Sequence, residues 1–85
     1  MKLLKFSAEW CGPCKALSNE LARMDFQMAI ELVEFDLSKD KEVFDKYGIR
    51  SVPTLILLDG EGFVWKTVAG FKSKEFLENW LGLKD

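Results

Sequence analysis

The sequence has no histidine at all, and its cysteines and prolines number only two each. Without an imidazole, a histidine-activated nucleophile or base is excluded, so thiolate chemistry has to draw its stabilisation from another source. Two cysteines without histidine also fall short of the four ligands that a structural zinc or an iron–sulfur cluster takes from a single chain. A site shared between two copies stays open, and a metal assay would settle it. Positive charge is not in excess either. Lys and Arg total 12 against 14 Asp and Glu, a net charge of −2 with both signs mixed along the chain. That leaves no basic stripe for a phosphate backbone, and nucleic acid is not expected as a partner. Long apolar runs are missing too. The longest, "VPTLILL" from Val52 to Leu58, is far too short to cross a bilayer. The opening "MKLLKFSAEW" has a second lysine inside its apolar stretch and no small-residue cleavage site, so it does not read as a signal peptide. The expectation is a cytosolic protein. In that reducing compartment, closely spaced cysteines are more often catalytic or metal-binding than structural.

What is present describes a globular chain: 48% hydrophobic, 31% charged and 13% aromatic. Its 85 residues are expected to form one domain, residues 1–85, because halving them would leave neither part enough apolar surface to offset chain entropy.

Apolar periodicity alternates between two kinds. "KLLKFS", residues 2–7, reads as a strand beginning almost at the first residue. Leu17, Leu21, Met24 and Met28 recur at helical spacing, one face of a helix from about Cys14 to Met28. Ile30 to Leu37 reads as a second strand. Ser38 is expected to cap a short helix with Val43, Phe44 and Tyr47 facing inward, and Gly48 to end it. "TLILLD" reads as a strand buried on both faces, and "DGEG", residues 59–62, as the turn to "FVWKTVA". Ser73 is placed to cap a last helix with Phe76, Leu77, Trp80 and Leu81 on its apolar stripe. Trp65 and Trp80 both read as core. The order is β-α-β-α-β-β-α: an α/β four-stranded mixed sheet with helices on both faces, parallel where helices separate the strands and antiparallel at the hairpin.

The cysteines of "SAEWCGPCKALSNELARM" therefore lie between the first strand and the first helix, at a strand's carboxyl end, where open α/β sheets build their sites. Three residues apart at a helix start, Cys11 and Cys14 are close enough to form a disulfide once the first turn adapts. So small a ring adds little stability, and what the spacing provides is easy, reversible closure. The helix dipole and the free amides of the first turn favour a negative sulfur on Cys11, which precedes that turn. Cys11 is thus read as the attacking thiol and Cys14 as the resolving one. Pro13 suits an early helical position, where its missing amide hydrogen costs nothing, and Gly12 permits close approach of a substrate backbone.

"AEWCGPCK", residues 8–15, and "YGIRSVPT", residues 47–54, resemble the two signature segments of the thioredoxins, and the element order and Gly70 fit along essentially the whole chain. The resemblance implies a thioredoxin-like fold lacking the N-terminal strand and helix of longer members. It also implies a cis peptide bond before Pro53, packed against the cysteines. Val52 would present its backbone to an extended substrate, and Trp10, Gly12, Pro13, Ala69 and Gly70 would line a flat apolar groove with it. The plainer alternatives are Trp10 as a packing residue and Gly70 as a turn glycine. The implied activity is reduction of protein disulfides, with no bound cofactor. A thioredoxin reductase, an NADPH-dependent flavoprotein, is implied as electron donor, with disulfide-containing proteins as clients, ribonucleotide reductase among the candidates. The chain is expected to be monomeric and not membrane-bound.

Two departures from the family stand out. Thioredoxins usually bury an aspartate beneath the site, paired with a lysine on the next strand. Lys5 stands at the aspartate position here and Glu34 at that of the lysine, so the charges are exchanged. Lys5 and Glu34 are expected to pair and to act electrostatically or in proton relay on the thiols. The competing reading is a lysine stem that runs along the core and releases its ammonium to water. Asn19 replaces the helix-bending proline of the family, so a straighter helix is expected. Ser7 replaces a tryptophan, leaving less bulk beside the site. Lys15 and "SKDKE" read as solvated. A glutaredoxin-like role is disfavoured by the Gly12-Pro13 pair, and a binding module with incidental thiols would be separated by Cys-to-Ser variants.

Overall fold

A computed structural model describes residues 1–24 and 30–82. Its elements are β1 (Lys2–Ser7), α1 (Gly12–Ala22), β2 (Glu31–Asp36), α2 (Lys41–Tyr47), β3 (Thr54–Leu58), β4 (Val64–Ala69) and α3 (Lys74–Trp80). The four strands form one sheet in the order β2-β1-β3-β4. Strands β1 and β2 are parallel, while β3 runs antiparallel to both β1 and β4.

Only one of the two helix-linked strand connections is therefore parallel. Strand β3 sets out from the end of the sheet where β2 finishes, so the loop before it lies at that same end.

Side chains alternate across the sheet as the strand period of two requires. Leu3 of β1 and Leu55 and Leu57 of β3 pack with Leu17 and Leu21 of α1 and Leu77 of α3. Leu4, Phe6, Ile56 and Leu58 point the other way, onto Phe44 of α2. Phe6 is fully enclosed and forms an edge-to-face pair with Phe44, ring centroids 5.1 Å apart. Strand β3 is buried along its whole length, as its unbroken apolar run requires.

Helix α1 ends at Ala22, earlier than its apolar spacing indicates; Met24 is buried just beyond it, and Met28 lies outside the described residues. Asn19 is exposed. Ser38 does not cap α2. Its amide and hydroxyl instead donate to the Asp36 carboxylate, and the helix begins after Asp40. Gly48 closes α2 at φ 67°, the left-handed geometry that a side chain would resist. At α3 the Ser73 hydroxyl does accept from the Phe76 amide at 3.2 Å.

Two aromatic assignments change. Trp65 is 58% exposed because it lies on the edge strand β4 beside the bulge at Leu57/Leu58, which breaks the alternation. Phe76 is exposed on α3, whereas Trp80 packs partly buried on the core. Among the described residues no helix is long and apolar enough to cross a membrane.

Helices α1 and α3 are joined by more than apolar contact. The Lys74 amide, at the start of α3, donates to the Glu20 carboxylate at 2.8 Å, and the same carboxylate pairs with Arg23 at 3.1 Å. Glu20→Ala is expected to lower stability by about 1–2 kcal/mol in urea unfolding, since it leaves a first-turn amide unpaired. Arg23→Ala, which removes only an exposed pair, should cost less than about 0.5 kcal/mol. Equal midpoints for the wild type and Glu20→Ala would contradict this.

Candidate functional site

The site forms where β1 gives way to α1. After Ser7 the chain turns tightly, the Cys11 amide donating to the Ala8 carbonyl at 3.1 Å, and the helix starts at Gly12. Cys11 is thereby the N-cap residue, with extended backbone, and its sulfur accepts the Cys14 amide at 3.1 Å. That amide is one of the first-turn donors with no partner inside the helix. Pro13 occupies the first turn, where it withdraws no donor from the helix. Cys11 and Cys14 are joined by a disulfide, their Cα atoms 5.2 Å apart.

Both cysteines are buried, at 4% and 2% exposure, so access does not distinguish them. Position does. The Cys11 sulfur accepts a first-turn amide at the positive end of the helix dipole, while Cys14 lies within the helix, and both pack with Ala8 and Val52.

The second half of the site comes from the loop before β3. The Val52–Pro53 peptide bond is cis, and Pro53 is buried. Gly70, at φ 89°, donates its amide to the Pro53 carbonyl at 2.8 Å, which ties the end of β4 to this loop. Thr54 secures the loop from the other side, its hydroxyl donating to the Ser51 carbonyl at 2.8 Å. Among the described residues, neither the amide nor the carbonyl of Val52 has a hydrogen-bond partner. Trp10 stands 75% exposed beside the cysteines, far more open than a packing residue.

Beneath the helix, Lys5 is 4% exposed, and its Nζ lies 3.5 Å from Glu34 Oε1 across the β1/β2 register. Lys5 shares the sheet face of Leu3 and Leu55, the face covered by the helix that carries Cys14. Its partner is lopsided, for the Glu34 side chain is 59% exposed.

These elements coincide with known proteins. The Thioredoxin family model matches residues 1–82. The chain belongs to the thioredoxin family. It is 43% identical over 79 residues to the thioredoxin of Bacillus subtilis, covering 89% of this chain and 74% of that one. With the thioredoxin of Streptomyces clavuligerus it shares 40% over 76 residues, covering 88% and 70%. Among solved structures, thioredoxin-2, described as a component of the malaria parasite protein secretion machinery, superposes with TM-score 0.86 at 27% identity, covering 98% of this chain and 82% of that one. A mutant thioredoxin from Halobacterium salinarum gives 0.85 at 28%, covering 96% and 72%. The protein is thus a thioredoxin-type thiol-disulfide oxidoreductase with Cys11-Gly-Pro-Cys14 as its redox-active pair. Membership implies interaction with a thioredoxin reductase and with disulfide-bearing substrates.

One part of the site escaped the sequence reading. A groove of about 340 Å³ runs from Trp10 and Val52 past Leu37, Ile49 and Arg50. Leu37 and Ile49 read as the tail of a strand and a connector. The available signal was that both are bulky apolar residues just outside the elements they adjoin.

The groove wall at Leu37 is held by the turn after β2. The Leu37 amide donates to the Ser7 carbonyl at 2.9 Å, and the Asp36 amide to the Asp40 carboxylate at 2.9 Å. The Asp36 carboxyl is held below its ordinary value of 3.8, first by the Ser38 hydroxyl, then by the Ser38 amide, with the nearby Lys39 charge adding to them. A depressed carboxyl contributes stability above its unfolded value and loses it as pH falls through the folded one. The advantage of wild type over Asp36→Asn should therefore be full at neutral pH and shrink below about pH 4 in thermal unfolding. A pH-independent difference would contradict this assignment.

Proposed function

We propose that the whole chain acts as one monomeric domain that reduces protein disulfides, with Cys11 attacking and Cys14 resolving. The observation that carries the reading is the Cys11 sulfur at the N-cap of α1, accepting the Cys14 amide. A donor already aimed at the sulfur strengthens when that sulfur becomes a thiolate, because hydrogen bonds to ionised acceptors are about twice as strong.

In the reduced protein, the Cys11 thiolate attacks one sulfur of a client disulfide. The client S–S bond breaks, the distal client sulfur leaves as a thiolate, and a mixed disulfide forms on Cys11. Cys14 then loses its proton and attacks the Cys11 sulfur, expelling the second client thiolate and closing the Cys11–Cys14 bond. The client gains two electrons and the pair loses two. A flavoprotein reductase fed by NADPH returns them, in a reducing compartment such as the cytosol, with ribonucleotide reductase one candidate client. No bound cofactor takes part. The unpaired backbone of Val52 receives the client as an extended segment, with Trp10, Gly12, Pro13, Pro53, Ala69 and Gly70 around it.

Lys5 and Glu34 act on the thiols through charge. A positive Lys5 beneath α1 favours the thiolate forms, and Glu34 balances that charge. The role proposed for the pair is electrostatic or a proton relay to the thiols.

The test is dithiothreitol-driven insulin reduction by wild type, Cys11→Ser and Cys14→Ser, each confirmed folded. Only wild type should turn over, and Cys14→Ser should trap the client on Cys11. A folded wild type no faster than dithiothreitol alone overturns the reading. Lys5→Met separates electrostatics from packing. It should match or exceed wild-type stability, because the buried ammonium is removed while the 59% exposed Glu34 carboxylate keeps its water. Its attack on disulfides at neutral pH should slow several-fold. An unchanged rate and pH profile would leave Lys5 a purely structural residue.

A further inference from the structure

We propose that the open edge of β2 takes up an extended segment of a partner protein, one that alternates basic and apolar residues, as a fifth strand of the sheet. In the order β2-β1-β3-β4 this edge faces away from β3 and the cis-proline loop.

The sheet has two edges, and they differ. Strand β4 carries the register shift at Leu57/Leu58, and a bulge of that kind turns an edge away from further pairing. Strand β2 keeps an unbroken register with β1, from Lys2↔Glu31 to Ser7↔Asp36. Along a strand, alternate residues turn their backbone groups to the same side, and the Glu31 and Leu37 amides donate inward, to the Met1 and Ser7 carbonyls. By that alternation the amides and carbonyls of Leu32 and Glu34 face outward. Asp36 ends the free stretch, because its amide donates to the Asp40 carboxylate and its carbonyl accepts from the amides of Lys39 and Asp40.

Both faces of this edge are unfinished. Leu32 packs on the cluster under α1, and Val33 and Phe35 on the cluster under α2, yet all three are only half-buried. Leu3, Leu4 and Phe6 of the inner strand are buried. One more strand would cover what β2 leaves open. Charge selects that strand. Glu31, Glu34 and Asp36 give β2 three acids and no base. Two copies of β2 side by side would set acid against acid, so the edge discriminates against its own copy. A basic segment meets the opposite situation. Lys5 engages Glu34 from the inner side through Oε1, and the carboxylate is 59% exposed on the other. Lysine or arginine on the Glu34 face and apolar residues on the Val33 and Phe35 face therefore suit both sides of the pleat. The backbone ladder supplies affinity and the side chains supply choice.

The test titrates the protein with three seven-residue peptides: lysine alternating with valine, glutamate alternating with valine, and the lysine peptide with every backbone amide methylated. Hydrogen exchange followed by NMR locates the contact. The lysine peptide should bind about tenfold more tightly than the glutamate peptide, and it should slow exchange of the Leu32 and Glu34 amides. The methylated peptide keeps the charge and the valines but donates no ladder bond, and it should bind at least about tenfold more weakly. Glu34→Gln, confirmed folded, should lose about threefold in affinity for the lysine peptide, as an exposed pair allows. Failure of the lysine peptide to bind overturns the proposal. So does binding that leaves exchange at Leu32 and Glu34 unchanged, equal affinity for the lysine and glutamate peptides, or full binding by the methylated one. A concentration-dependent dimer of the protein alone that protects the same two amides overturns it as well, for the edge then pairs with its own copy.

Discussion

The bond from the Cys14 amide to the Cys11 sulfur exists because a helix has to begin there. Every α-helix starts with amides that nothing in the helix can satisfy, and N-cap side chains ordinarily use oxygen to meet them. Here sulfur does it. One contact meets the need for a cap and, in the reaction proposed, supplies the Cys11 thiolate with a donor in a chain that has no histidine. That contact depends in turn on the sheet. β1 must end where α1 begins, and Leu17 and Leu21 must seat α1 against Leu3, Leu55 and Leu57 for the amides to stay aimed.

The same dependence explains the second half of the site. Because β3 runs antiparallel to β1, it starts at the end where β1 stops, and the Val52–Pro53 loop arrives beside the cysteines. Gly70 then locks the end of β4 onto that loop. Three chain segments far apart in sequence converge, and none of them is held in place by the disulfide.

Much of this was legible in the residues. Strand and helix positions followed from the spacing of apolar residues, and Gly48 and Ser73 ended and began their helices as their chemistry requires. The Lys5 and Glu34 pairing was implied by the family resemblance, which sets them at paired positions on neighbouring strands, and the β1/β2 register places them opposite each other. What misled were features that only tertiary geometry decides. Ser38 looked like a cap, but Asp36 offered its hydroxyl a charged acceptor two residues away. Trp65 looked like core, yet its strand turned out to be an edge with a bulge, and no periodicity within a strand reveals which edge it occupies. The direction of β3 differs from the parallel one expected, because a helix between two strands does not by itself return the chain to the sheet's starting end. The groove at Leu37, Ile49 and Arg50 is assembled from two loops, so no local pattern announces it.

The start of α1 should make Cys11, and not Cys14, the nucleophile. Partial alkylation of the fully reduced protein with iodoacetamide at neutral pH, with the modified cysteine identified by mass spectrometry, decides between them. A second run on the urea-unfolded reduced protein, where the two thiols should react alike, shows that the difference belongs to the fold. The account predicts that Cys11 is modified first, on the order of tenfold faster or more. Equal rates, or Cys14 modified first, would contradict it.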